Sequence, residues 1–172
     1  PGPRINVISE MRDGILWVGT DDGLARLDPR PPVGAPAFVA ELIRPAGKEV
    51  GVTGLLEDRA GRLWVCLGHE LWVRDRPGEP ARQVALPRGV LVEGSIVEAP
   101  DGSLWMLAGS GILRLLPDGS FRSYPFRSPD DSARDLAFDA QGVLWIARAD
   151  GLLLFRPEGS ERAEGRALPL LD

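Results

Sequence analysis

Short apolar runs, separated by glycine, aspartate and proline, set the rhythm of this 172-residue chain. Four of them share one form: glycine, any residue, an aliphatic, tryptophan. They are Gly14-Ile15-Leu16-Trp17, Gly61-Arg62-Leu63-Trp64, Gly102-Ser103-Leu104-Trp105 and Gly142-Val143-Leu144-Trp145. The tryptophans stand 47, 41 and 40 residues apart (64−17, 105−64, 145−105), so four of the five keep one phase of a period near forty. An aliphatic precedes each glycine by six positions, at Ile8, Leu55, Ile96 and Leu136. Another follows each tryptophan by seven, at Leu24, Leu71, Ile112 and Leu152.

Each unit reads as four short strands joined by turns. The first strand covers Val7 to Met11, Leu55 to Asp58, Ser95 to Glu98 and Asp135 to Asp139 in the four copies. The repeat glycine then closes a turn that calls for positive φ, which a side chain opposes. The Leu-Trp-Val type segment is a second strand, apolar on both faces. Tight connections such as Asp21-Asp22-Gly23 and Gly109-Ser110-Gly111 lead into a third strand, as at Leu24 to Asp28 and Ile112 to Leu116. A weaker fourth strand follows at Ala37 to Ile43, Gln83 to Leu86, Phe121 to Pro125 and Ala163 to Leu168. Four strands recurring every forty residues predict an all-β β-propeller of four-stranded antiparallel blades. The chain then holds four blades, approximately 5–47, 50–88, 92–127 and 133–170, in a single segment over 1–172. Helical repeats of similar period would need glycine-free stretches in helical phase, which the sequence does not contain.

The unit Ile8-x-Glu10-x-x-x-Gly14-x-Leu16-Trp17-Val18-Gly19-Thr20-x-x-Gly23-Leu24-x-x-x-Asp28 closely resembles the two-component regulator propeller repeat. That family builds the extracytoplasmic sensor domains of bacterial hybrid histidine kinases. The resemblance implies export to the periplasm or cell surface, and a ligand recognised on one rim and reported to an attached regulator. The other copies replace Gly19-Thr20 with Cys66-Leu67, Leu107-Ala108 and Ala147-Arg148. The third and fourth repeats, with Pro100-Asp101-Gly102-Ser103-Leu104-Trp105 and Asp118-Gly119-Ser120-Phe121-Arg122-Ser123-Tyr124-Pro125, are also similar to streptogramin lyase propellers. That chemistry uses a histidine base and a magnesium ion. Here the sole histidine is His69, with no recurring carboxylate cluster beside it. The expectation is therefore no enzyme, no cofactor and no metal.

Composition narrows the partners. A net charge of −5, with acids and bases interleaved, lacks the basic face that a nucleic-acid backbone requires. No apolar run is long enough for a membrane span. The chain opens Pro1-Gly2-Pro3-Arg4 without Met, as a mature form or excised piece would. The single cysteine, Cys66, excludes an internal disulfide and reads as a buried strand thiol. The repeat tryptophans read as core between neighbouring sheets. Trp72 stands where the other copies have Ala25, Leu113 and Leu153, and reads as a local packing plug.

Connectivity locates the expected site. The turn between second and third strands shares a rim with the loop entering the next blade, and charged loops on a rigid scaffold are the usual place for recognition. The expected ligand-binding residues are Asp21, Asp22, His69, Glu70, Arg148 and Asp150, for an oligosaccharide or other small ligand. Ser110 lies on the same rim, with Lys48, Glu49, Arg88, Asp130, Asp131 and Arg134 on the inter-blade loops. Asp21-Asp22 alone is too sparse for a calcium loop. Four blades also pose a closure problem, because an open end would leave an apolar face in water. The expectation is a homodimer through the end blades, or further repeats in a longer chain, with a compact four-bladed ring as the third way to close. The rival function is a structural or protein-interaction propeller without a small ligand.

Overall fold

The computed structural model describes residues 4–36, 38–41, 50–109, 111–126, 133–149, 151–156 and 165–169. Among the described residues, sixteen strands form four sheets in strict chain order. The first blade is β1 (Ile5–Glu10), β2 (Leu16–Thr20), β3 (Gly23–Leu27) and β4 (Phe38–Glu41). The second is β5 (Val52–Glu57), β6 (Leu63–Leu67), β7 (Glu70–Arg74) and β8 (Arg82–Val84). The third is β9 (Val92–Glu98), β10 (Leu104–Ala108), β11 (Gly111–Leu115) and β12 (Phe121–Pro125). The fourth is β13 (Ala133–Phe138), β14 (Leu144–Arg148), β15 (Gly151–Phe155) and β16 (Gly165–Pro169). Each is an antiparallel meander, the propeller blade expected from the repeat. The chain divides into two compact units, Pro1–Leu86 with the first two blades and Pro87–Asp172 with the last two.

The β1–β2 turn is built identically in every blade. In the first, Met11 N–H donates to Ile15 O and Gly14 N–H to Met11 O. The same pair of bonds recurs at 58–62, 99–103 and 139–143. This is the three-residue hairpin whose last position is left-handed. Gly14, Gly61, Gly102 and Gly142 occupy it with φ of 77°, 79°, 80° and 76°.

A register shift in the first strand of each blade, a bulge, sets which aliphatics share a face. In unit 1, Trp17 and Leu24 on the trailing face of blade 1 pack against Val52, Leu55, Leu63 and Val65 on the leading face of blade 2. In unit 2, Trp105, Leu107, Ile112 and Tyr124 of blade 3 pack against Leu136, Leu144, Ile146, Leu153 and Phe155 of blade 4. Three of the repeat tryptophans, Trp17, Trp64 and Trp105, are buried as expected, whereas Trp145 is half-buried. Trp72 packs half-buried against the unit 1 core and donates its indole N–H to Glu70 at 2.9 Å. Its plug reading stands. The same slot against the repeat tryptophan is filled differently in the two units. Arg74 lies 5.6 Å over the ring of Trp17, whereas Phe155 meets Trp105 edge-on at 6.1 Å.

Candidate functional site

The buried tryptophans bring a polar problem with them, since each indole N–H must find an acceptor inside the protein. In blade 2 the solution is Asp58, only 1% exposed, at the first position of the glycine turn. One of its oxygens accepts from Ala60 N–H at 3.0 Å and Arg62 N–H at 2.9 Å. The other accepts from Arg62 Nε at 2.6 Å and Trp64 Nε1 at 2.8 Å. Asp139 repeats the device, accepting from Gln141 N–H, Val143 N–H and Trp145 Nε1. In blade 3 that position is Ala99, and Ser103 and Asp101 take over. Ser103 Oγ accepts from Trp105 Nε1 at 2.9 Å and from Arg114 Nε at 3.0 Å, while Arg114 also donates to Asp101.

These carboxylates are held ionised. Burial works to raise the Asp58 carboxyl, but hydrogen bonds from Trp64 and Arg62 outweigh it and hold it below 3.8. Burial likewise opposes ionisation of Asp101, and the Ser103 bonds and Arg114 charge again win. For Asp139 the Trp145 bond leads, and the result has the same direction. Cys66 lies at the other extreme. Its sulfur is fully buried, and desolvation pushes the thiol up to about 12, so it is a core residue and no nucleophile.

Two clefts open between blades at this turn. In unit 2 a cleft of about 770 Å³ is lined by Pro100, Asp101, Arg114, Phe138, Gln141 and Arg156, with Trp105 at its base. Arg114 is fixed over the Trp105 ring, its guanidinium carbon 4.9 Å from the centroid. Arg156 and Gln141 are exposed. In unit 1 the equivalent cleft, about 620 Å³, is lined by Asp13, Arg26, Glu57, Arg74, Arg76 and Glu79 around Trp17. Trp17 and Trp105, Arg26 and Arg114, and Asp13 and Asp101 occupy matching repeat positions.

The residues expected from the sequence lie at the opposite ends of the strands. Asp21 and Asp22 sit exposed in the β2–β3 turn, where Asp21 accepts from Asn6 Nδ2 at 2.8 Å. His69 is exposed in the β6–β7 turn, and Glu70 begins β7 and holds Trp72. Arg148 ends β14 half-buried. Of the wider rim, Arg88 is exposed in a loop and Arg134 lies within β13, not in a loop. Asp150, Ser110, Lys48, Glu49, Asp130 and Asp131 lie outside the described residues. A smaller hollow of about 310 Å³ on that rim of unit 2 is lined by Val90, Leu91, Gly109, Ile112 and Tyr124. Among the described residues, no group of three or more His, Cys, Asp or Glu converges as a metal site would require. Among the described residues, no helix is long and apolar enough to cross a membrane.

No family model and no curated protein matches this sequence. Solved structures do. Streptogramin B lyase is 17% identical with a TM-score of 0.75, over 96% of this chain and 54% of the lyase. The extracellular domain of a protein assigned as the hybrid two component system BT3049 from B. thetaiotaomicron is 20% identical with a TM-score of 0.71. That match covers 88% of this chain and 21% of the other. The gluconolactonase XC5397 from Xanthomonas campestris is 18% identical with a TM-score of 0.70, over 96% and 62%. The chain therefore spans about half of the lyase and about a fifth of the two-component protein. Both resemblances read from the repeats recur among these structures, and what they share with this chain is the β-propeller fold.

Proposed function

We propose that the chain is a non-catalytic recognition module, the extracytoplasmic sensor part of a two-component-type regulator. Its ligand, an oligosaccharide or similar polar small molecule, is taken in the unit 2 cleft. The observation that carries this reading is the cleft itself. Arg114, Asp101 and Ser103 are locked together over Trp105, while Arg156 and Gln141 are exposed at the wall, which Phe138 and Pro100 also line. A floor that needs no rearrangement, edged by polar donors and apolar patches, suits a hydroxyl-rich ligand. The extracellular domain of the BT3049 protein on the same fold supports the sensor role. The depressed carboxyls support recognition over catalysis, because a carboxylate held ionised by several donors is a weak proton acceptor and a poor acid near neutral pH. The turns of unit 1 that carry Asp21, Asp22, His69 and Glu70 are the second surface such a ligand could use.

The test is a thermal-shift screen of neutral and uronic-acid oligosaccharides, since specific binding raises apparent stability by mass action. A hit should shift the wild-type melting temperature and lose that shift in Arg156→Ala and Gln141→Ala. A shift that survives both variants but fails in Asp21→Ala or His69→Ala moves the site to the other rim. The lyase and lactonase on this fold define the competing class. Conversion of a ligand during the screen would establish that class in place of ours.

A further inference from the structure

One arginine in unit 1 stands where the repeat calls for an apolar side chain. Ten positions after the repeat tryptophan the other blades carry Leu27, Leu115 and Phe155, and blade 2 carries Arg74. The slot is interior: Leu115 and Phe155 are buried, and Arg74 is only 8% exposed. Enclosing a cation costs folding free energy that leucine in the same place would not. Three blades are built without that cost.

Arg74 ends β7, stacks over Trp17 and lines the unit 1 cleft of about 620 Å³, together with Arg26 and Arg76. Arg76 opens a tight turn that forms one wall. Glu79 N–H donates to Arg76 O at 3.2 Å, with Pro77 and Gly78 (φ 81°) between them, so the wall has a fixed shape. The acids of the cleft are weaker than their number suggests. Asp13 and Glu79 are exposed and screened by water, and Glu57 already accepts from Arg12 N–H at 2.7 Å. Asp75, beside Arg74 in the chain, is paired with Arg82 at 3.1 Å. The least hydrated charge lining the cleft is therefore the Arg74 guanidinium. The unit 2 cleft has no such group, because Phe155 fills the slot and Arg114 is tied to Asp101 and Ser103.

We propose that the unit 1 cleft is a separate binding site for a small organic monocarboxylate, its carboxylate meeting Arg74. The guanidinium is a planar fork of donors that matches two carboxylate oxygens. The walls set the charge limit, since Asp13, Glu57 and Glu79 repel a second negative charge and so disfavour phosphate. Met11 and Leu63 add apolar contact for the body of the ligand. The inference is independent of the unit 2 reading, because the two clefts share no residue.

The experiment is isothermal titration calorimetry at constant ionic strength. Benzoate, galacturonate and N-acetylglycine are each compared with a neutral counterpart: benzamide, galactose and N-acetylglycinamide. At least one acid should bind with a Kd of about 1 mM or tighter, and its counterpart about tenfold more weakly. Arg74→Leu should melt close to the wild type, as Leu27 and Leu115 hold that position in sister blades, and should lose about tenfold in affinity. Arg74→Lys keeps the charge without the fork and should fall between. Arg76→Ala, at an exposed position, should weaken binding a few-fold at unchanged melting temperature. Arg156→Ala, in the unit 2 cleft, should leave this binding intact, which separates the two sites. Absence of binding by all three acids overturns the proposal. So does equal binding of acid and neutral counterpart, tighter binding of inorganic phosphate, or wild-type affinity in Arg74→Leu. A large fall in melting temperature for Arg74→Leu, with wild-type affinity in Arg76→Ala, assigns Arg74 to packing alone and overturns it as well.

Discussion

Replacing Asp58 by alanine is the sharpest probe of how the blades are held. The carboxylate accepts four N–H groups, at 3.0, 2.9, 2.6 and 2.8 Å, in a setting that is 1% exposed. Its removal leaves the Trp64 indole N–H without an acceptor in the core, a penalty of about 1–3 kcal/mol. Loss of the two backbone bonds that brace the turn adds about 1 kcal/mol. The Arg62 ion pair adds little, because Arg62 is 39% exposed and can turn to water. The expected total is about 3 kcal/mol, a large part of the ~5–15 kcal/mol available to a domain. Urea titration followed by tryptophan fluorescence and circular dichroism reads it directly. With a slope of about 2 kcal/mol per molar urea, the midpoint should fall by roughly 1.5 M at unchanged slope. Asp139→Ala removes the same kind of clasp at a less buried site and should cost less. A loss under about 1 kcal/mol for Asp58→Ala would show that the indole finds water or another acceptor, and would refute the clasp as a stabilising element.

Two further outcomes follow from the same geometry. Asp58, Asp101 and Asp139 all have folded values below their ordinary 3.8, so the stability they add is full above that value and drains away as pH falls through it. Melting temperature recorded from pH 7 to pH 3 should therefore drop steeply below about 4, and less steeply in Asp58→Ala; parallel curves would contradict the assignment. Gly19→Ala should cost about 1–3 kcal/mol by denaturant titration, because a Cβ there would lie 2.6 Å from methyl groups of both Val52 and Val7 where blades 1 and 2 meet. An unchanged midpoint would mean that the two sheets can part without loss.

The inner architecture was legible because it is governed by local rules. The phase of Gly-x-aliphatic-Trp located every second strand and the left-handed glycine of the turn before it. The outer strands were harder to bound. Gln83 to Leu86 was read where β8 is Arg82–Val84. An outer strand has one neighbour and one partly wet face, so its polarity pattern constrains it weakly. The clefts were not legible at all. Charge drew attention to Asp21, Asp22 and His69, whereas the grooves formed at the other end of the strands, where the approach of two sheets decides the space. The aspartate three residues before the repeat glycine was a visible sign at Asp58 and Asp139. It was masked because Met11 and Ala99 interrupt it and Ser103 replaces it in blade 3.

The strict meander has a kinetic consequence. Every described ladder joins strands that are consecutive in the chain, so no pairing waits for distant segments to meet. Forming a β-hairpin takes microseconds, and chains dominated by such nearby partners cross low entropic barriers for an all-β protein. A ribosome releasing this polypeptide would let each sheet zip up soon after its glycine turn emerges. Its unsatisfied flank would then be shielded when the next forty residues appear.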